Sequence, residues 1–225
     1  STLDRSSAAS DVYKRQAEYQ AQKAFKCPED QHQLMHFFRN VNNALPFEGN
    51  KTEVYTDGLS MLQSLMKAIS KAKHHIHLEF YIFEDDPVGR LLRDLLIDKA
   101  REGVEIRLLY DDVGCWKVPH LFYDEMRGAG IEARGFLKVR FPVFTSKVNY
   151  RNHRKIVVID GKVAFTGGMN IALRYMKGFQ WGIWRDTHIK IEGKAVYGLQ
   201  TAFLTDWYVV DRTPVSYTHL TLPTS

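Results

Sequence analysis

Asn152-His153-Arg154-Lys155-Ile156-Val157-Val158-Ile159-Asp160 is the stretch that decides the reading of this chain, and Gly167-Gly168-Met169-Asn170 follows it at short distance. His153 and Lys155 are two residues apart, so their side chains share one face if the backbone is extended. The run Ile156 to Ile159 is apolar and β-branched, which predicts a buried strand. Asp160-Gly161 is a tight-turn dipeptide, and Lys162 to Thr166 returns as a second strand. The predicted hairpin thus fixes an imidazole and an ammonium at a strand start. It then delivers a glycine loop in which the backbone can approach an anion closely. With no Cys or acidic cluster in ligand spacing beside them, a His and a Lys suit phosphate better than metal. Imidazole can attack phosphorus covalently, and an ammonium can neutralise the phosphoryl oxygens. Taken alone, His-x-Lys also describes a solvated strand end. The full string, with Asp160 and the Gly-Gly-x-Asn loop at fixed spacing, is far more specific.

Working outward, the pattern alternates strands and helices. Gln31–Asn43 reads as a short helix with Leu34, Phe37, Phe38 and Val41 on one stripe, and Val54–Thr56 as a brief strand. A helix opened by Asp57-Gly58 carries Leu59, Leu62, Leu65, Met66 and Ile69 toward a core. Ile76–Phe83 alternates as a strand. His74, His75 and His77 resemble a metal cluster at first sight, but no fourth ligand is nearby, and a strand edge is the preferred reading. Glu79 is an acid in an apolar strand, costly unless paired, and is expected to support the active site from beneath. Pro87 starts a helix through Arg101 with Leu91, Leu92, Leu95, Leu96 and Ala100 inward. Val104–Tyr110 is the next strand. It ends at Asp111-Asp112, two carboxylates that either bind a metal or, as preferred, cap the following helix. A helix over 119–129 and a strand over 131–137 follow, and the irregular aromatic and basic segment 139–151 reads as a lid or as ordinary loop packing. After Asn170 come a helical turn or two (171–176), a loose aromatic loop (178–182), a strand (184–193) and a helix (195–210) with Leu199, Phe203 and Trp207 inward. This order predicts an α/β fold with a mostly parallel central sheet, helices on both faces, and the β-hairpin added to it.

The two ends read differently from the middle. Ser6–Gln16 can be encoded by an oligonucleotide whose reverse complement, in another frame, encodes Val215–Thr224. Both ends therefore look like opposite strands of one DNA segment resembling a transposase-type sequencing adapter, and 1–16 and 215–225 are set aside from fold reasoning as scars. That leaves a polar segment, 17–50, and a single catalytic domain, 51–214, expected to be truncated at both ends. Of the net charge of +5, residues 1–16 hold +1 (Arg5, Lys14 and Arg15 against Asp4 and Asp11). The C-terminal scar holds none, so +4 remains. This mildly basic balance fits a phosphate-bearing partner without choosing one. Cys27 and Cys115 have neither ligand nor disulfide-framework spacing, which points to a reducing compartment. No apolar run reaches the roughly 20 residues needed to span a bilayer.

The motif residues His153, Lys155, Asp160, Gly167, Gly168 and Asn170 resemble the HKD motif of the phospholipase D superfamily. The strings HHIHLEFYIFEDD, YDDVG, RFP, NYRNHRKIVVIDGKVAFTGGMNIA, WRDTHIKIEG and FLTDWY extend the similarity over roughly residues 50–210, to the first catalytic half of bacterial cardiolipin synthases. The resemblance implies a membrane enzyme that transfers a phosphatidyl group between two phosphatidylglycerol molecules, through a phosphohistidine, and releases glycerol. Family members carry two HKD motifs, and no second one follows Asp160 here. The missing C-terminal half, or a homodimer partner, is therefore implied as a partner, beside phosphatidylglycerol and an anionic membrane surface. By the same resemblance His153 is the nucleophile, or the acid/base if the halves exchange roles. Lys155, Gly167, Gly168 and Asn170 hold the phosphate, and Asp160 and Asp186 complete the catalytic set. A carboxylate best anchors the far nitrogen of the imidazole. Asp160, at the hairpin turn, is better placed to hold the turn, so Asp186 is the expected orienting acid. No metal or other cofactor is expected.

Three function classes remain open on the sequence: a phosphatidyltransferase or phospholipase, a single-motif homodimeric phosphodiesterase or nuclease, and an inactive binding module. The complete motif argues against the last. The absence of a dense Lys/Arg stripe interleaved with aromatics argues against nucleic acid as partner.

Overall fold

The computed structural model describes residues 32–42, 46–136, 152–178, 182 and 185–212. The expectations for the two terminal scars and for segment 139–151, and most of that for 178–182, lie outside the described residues. The elements are α1 (His32–Asn42), β1 (Lys51–Tyr55), α2 (Gly58–Ser70), β2 (His75–Phe80), α3 (Pro87–Arg101), β3 (Glu105–Asp111), α4 (His120–Gly128), β4 (Glu132–Phe136), β5 (Ile156–Ile159), β6 (Val163–Gly167), α5 (Leu173–Lys177), β7 (His188–Glu192) and α6 (Val196–Asp211). The strands form one seven-stranded sheet in the order β1-β7-β6-β5-β2-β3-β4.

The α/β class is as expected, but the share of parallel pairing is lower. Only β2–β3 and β3–β4 are parallel, and the other four pairings are antiparallel. The physical reason is connection length. Helices α3 and α4 are crossovers long enough to return the chain in the same direction. The tight turn after β5 can only reverse it, and β6, β7 and β1 continue antiparallel from there.

Helices cover both faces. On one side Ile76, Leu78, Phe80, Val157, Ile159 and Phe165 pack with α2, α3 and α4 through residues such as Leu65, Ile69, Leu92, Leu96 and Phe122. On the other, Leu109, Ile156, Val158 and Ala164 pack against Val196, Phe203, Leu204 and Trp207 of α6. Hence β2 is buried along its whole length rather than on alternate residues. The expectation that His74, His75 and His77 mark a strand edge is corrected: β2 lies between β5 and β3. His75 and His77 face α6, where Gln200 bridges them at 3.2 and 2.7 Å and Phe203 stacks on His77 at 4.5 Å. Leu59 and Leu91, expected inward, are half exposed. Met61 in α2 and Val88 in α3 take their places, because the buried rows run 58–61–65–69 and 88–92–96. Asp111 caps, but it caps a turn rather than a helix: its Oδ1 accepts from Val113 N and Gly114 N at 2.9 and 2.8 Å, and α4 begins only at His120.

The hairpin turn is the tightest local constraint. Asp160 and Gly161 both take positive φ, 52° and 64°, as a type I′ turn demands. The Asp160 carboxylate accepts three backbone N–H groups from the segment entering β2, those of Lys73 (2.9 Å), His74 (2.8 Å) and His75 (3.0 Å). Burial pushes its pKa up, but these three donors outweigh burial and hold it below the usual carboxylate range. A group with a depressed folded pKa stabilises above its unfolded value and stops doing so as pH falls through the folded one.

Asp160→Ala is therefore expected to lose about 2–4 kcal/mol at neutral pH, from unmet donors and from an alanine at positive φ. Asp160→Asn should lose less. Denaturant titration near pH 7 and again near pH 3 checks both. The gap between wild type and Asp160→Asn should narrow on acidification, and a gap independent of pH would contradict the charged clamp.

Candidate active site

The site sits where β5 begins, beside the end of β2. Strand alternation sends Asn152, Arg154 and Ile156 toward α6, and His153, Lys155 and Val157 toward the opposite face. His153 and Lys155 are in contact. The Lys155 Nζ lies 2.9 Å from His153 Nδ1 and 3.3 Å from Nε2, and donates to the His153 carbonyl at 2.7 Å. The Tyr81 ring, just beyond β2, lies 4.7 Å from the imidazole, and Lys155 Nζ stands 5.6 Å from the centre of that ring. The imidazole is solvent-exposed, whereas Lys155 is only 2 % exposed.

Burial, and then the neighbouring Lys155 charge, lower the His153 pKa, against the opposing pull of Asp111 and Asp186. Burial brings the Lys155 pKa down to about 8, with Asp186 opposing. At neutral pH the pair is thus a neutral imidazole beside a charged ammonium, which leaves a ring lone pair available for attack.

Asp186 lies just before β7. Its carboxylate occupies the space in which a Cβ on residue 168 would stand, so any larger residue at 168 would push the Asp186 carboxylate aside. The Gly168 N–H donates to the Thr187 carbonyl at 2.9 Å, and Gly167 takes φ +153° against His188. Gly167 is needed for the approach of β6 to the start of β7, and Gly168 leaves the Asp186 carboxylate its place near His153 and Lys155. Within the described residues the hydrogen bond of this carboxylate goes to Thr187 N at 2.7 Å, not to the imidazole. Its influence on His153 and Lys155 is through charge.

The other expected site residues are placed as follows. Asp160 is at the far end of β5, holding the turn described above. Asn170 is 2 % exposed and bonded at both ends of its amide: Oδ1 accepts from Ile82 N at 3.0 Å, and Nδ2 donates to the Tyr175 hydroxyl at 2.7 Å. It ties the glycine loop to the exit of β2. Glu79, 2 % exposed, lies on the α6 face beneath the motif. Its Oε1 accepts from Asn152 Nδ2, and Asp206 of α6 lies beside it. Burial, and then the Asp206 charge, raise the Glu79 pKa well above the usual range.

Several residues at the site were not singled out in the sequence. Asp206 is an acid within the apolar helix FLTDWYVV, a signal as strong as that of Glu79. Tyr81 and His188 carried none, because an aromatic or a histidine in an alternating strand is ordinary core. His188 is 1 % exposed, and its Nδ1 has no hydrogen-bond partner among the described residues. Burial, set against Asp186 and reinforced by Lys155, takes its pKa to about 4, so this imidazole is neutral. Among the described residues no group of three or more His, Cys, Asp or Glu is arranged to hold a metal ion. No described helix is long and apolar enough to cross a membrane.

Residues 65–207 match the family described as cardiolipin synthase, PLD-like domain. A cardiolipin synthase of Alkalihalophilus pseudofirmus is 47% identical over 173 residues, covering 76% of this chain and 34% of the relative. One from Geobacillus kaustophilus is 48% identical over 160 residues, covering 71% and 32%. The chain thus spans about a third of the length of these relatives. The fold is shared with Nuc from Salmonella typhimurium, a phospholipase D family member (TM-score 0.54, 17% identity, 72% of this chain and 97% of that one). It is shared too with the phosphatidylserine synthase of Haemophilus influenzae (TM-score 0.55, 18% identity, 69% and 36%). With the HKD residues gathered on one hairpin and the match running through the sheet that carries them, the chain belongs to the cardiolipin synthase family of phospholipase D-like domains.

Proposed function

We propose that this chain is the His153-bearing catalytic unit of a cardiolipin synthase, which moves a phosphatidyl group from one phosphatidylglycerol to another at an anionic membrane surface. The observation that carries the reading is the contact of Lys155 Nζ with a neutral, exposed His153 ring, 2.9 Å apart. The imidazole attacks phosphorus, a P–N bond forms, and the P–O bond to the departing glycerol breaks with its electron pair on oxygen. As phosphate arrives, the Lys155 ammonium moves from the ring to the phosphoryl oxygens, whose negative charge it offsets. Asp186, close to both groups, offsets the imidazolium charge that develops and orients the ring. The hydroxyl of a second phosphatidylglycerol then displaces histidine. Asn170 gives one amide N–H to Tyr175 and fixes the loop, and its second N–H is the donor it has for phosphate.

The departing alkoxide needs a proton from the side opposite the nucleophile. One imidazole cannot stand in both places, so the reaction calls for a second HKD unit. The relatives are about three times as long as the stretch this chain matches, which leaves room in them for such a unit.

A diester whose leaving group needs no proton separates attack from departure. With bis(p-nitrophenyl) phosphate, whose nitrophenol ionises near neutrality, the 225-residue chain should release a burst of at most one nitrophenolate per His153. His153→Ala should abolish the burst, a loss of several powers of ten in rate. A burst unchanged in that variant refutes the assignment. Phosphatidylglycerol conversion by a strict monomer would refute the need for a second unit.

The burst should also depend on pH in a defined direction. His153 must be unprotonated, so the rate rises as pH climbs through its lowered pKa. Lys155 must be charged, so the rate falls as pH passes about 8. Stopped-flow rates across this range check it, and a rate still rising beyond about pH 9 would remove Lys155 from the charged role.

A further inference from the structure

Asn152 and Arg154 flank His153 in sequence and point to the opposite face of the sheet, and the N–H and side-chain amide of Asn152 are tied down there. Its N–H donates to Asp111 Oδ2 at 3.3 Å. Its Nδ2 donates to Glu79 Oε1 and, at 3.2 Å, to Asp206 Oδ2. Its Oδ1 accepts from Arg154 N at 3.1 Å. The Arg154 guanidinium donates to the same Asp206 oxygen. The anchors are buried: Glu79 is 2 % and Asp206 8 % exposed. The other Glu79 oxygen, Oε2, is buried and has no hydrogen-bond partner among the described residues. Glu79 and Asp206 accept from the same Asn152 amide nitrogen and lie side by side, so a hydrogen bond between the two carboxyls requires that one be protonated.

Charge points the same way. The groups acting on Glu79 are Asp206 from α6 and Arg154 and Asn152 from the segment before β5. His77, two residues back on the same face of β2, is kept neutral by burial, with His75 and Arg107 adding to the effect. Within the trio Glu79, Asp206 and Arg154, two ionised carboxylates against one guanidinium would leave an excess negative charge, and one retained proton removes it. Asp111, which accepts the Asn152 N–H, and Arg107 are further charged groups on this face.

We propose that Glu79 and Asp206 hold one proton between them and, through Asn152 and Arg154, clamp the backbone on both sides of His153, which makes all four positioning residues for the nucleophile. The inference rests on the His153 reading given above. The clamp acts from the far side of the strand, where phosphate never reaches. It needs no contact with substrate. It sets the direction in which His153 leaves the backbone, while Lys155 and Tyr81 meet the ring on the near side.

The test uses Glu79→Gln, Glu79→Ala, Asn152→Ser and His153→Ala in the full 225-residue chain, with two readouts. One is the burst rate with bis(p-nitrophenyl) phosphate. The other is the ring resonances and titration midpoint of His153 by long-range proton–nitrogen NMR. Glutamine mimics a protonated glutamate, since its amide donates to Asp206 while its oxygen still accepts from Asn152. Glu79→Gln should therefore keep the wild-type rate, midpoint and sharp ring signals. Glu79→Ala and Asn152→Ser should slow the burst by roughly 10²-fold, the scale of a misplacement of about an ångström, and shift or broaden the His153 signals. If Glu79→Ala fails to fold, Asn152→Ser at its half-exposed position carries the comparison. Wild-type rates and unmoved His153 signals in both Glu79→Ala and Asn152→Ser would overturn the clamp. A loss in Glu79→Gln as deep as in Glu79→Ala would overturn the shared proton. Loss of the burst in His153→Ala beside unchanged rates in the other variants would sink the clamp alone. A burst that survives His153→Ala would sink the reaction reading instead, with the NMR comparison still deciding the clamp.

Discussion

The antiparallel pairing of β5 with β2, Ile76 opposite Ile159 through Glu79 opposite Ile156, is the constraint on which the rest depends. It joins the parallel part of the sheet, built from helical crossovers, to the antiparallel part built from turns. It also sets parity. A slip of one residue would exchange the two faces of β5 and place Asn152 and Arg154 where His153 and Lys155 stand. Two devices exclude that slip. The Asp160 carboxylate takes the three N–H groups that lead into β2, at one end of the pairing. Glu79 receives Asn152 at the other. Between them the apolar residues of β5 meet a core on each face.

Much of this was legible from residue types, and the reasons are local. The hairpin followed from β-branched residues around Asp160-Gly161, because positive φ at two successive positions leaves few other dipeptides. Helices α2 and α3 followed from their caps and apolar spacing, with Asp57 and Asp86 as N-caps. What was not legible is what depends on the partner strand. Whether β5 lies parallel or antiparallel to β2 is not written in either segment, so the sheet was expected to be more parallel than it is. Leu59 and Leu91 were misplaced because helix phase is set by the surface beneath, and a leucine one position off the stripe looks the same in sequence.

The site shows the same division. His153, Lys155 and the glycines are local in sequence, and the candidate site could be drawn from them alone. Glu79 was noticed because an acid is costly in an apolar strand, and its counterpart Asp206, well over 100 residues later, was passed over although the same argument applied. Long-range pairs of buried acids need the fold to reveal them. Gly168 is a further case. Its lack of a side chain suggested room for an anion, and the structure fills that room with the carboxylate of Asp186.

A buried lysine whose pKa lies near 8 makes the site sensitive to where it works. An anionic bilayer carries a surface potential of about −30 to −50 mV, which concentrates protons and lowers the pH at the headgroups by roughly half a unit or more relative to bulk. On such a surface Lys155 would keep its charge in a medium alkaline enough to discharge it in free solution. On the function proposed above, the lipid would thus serve as reactant and also as local buffer for the group proposed to hold its phosphate. Such a site would gain from acidic lipid accumulating around it, and would fade in a neutral bilayer at the same bulk pH.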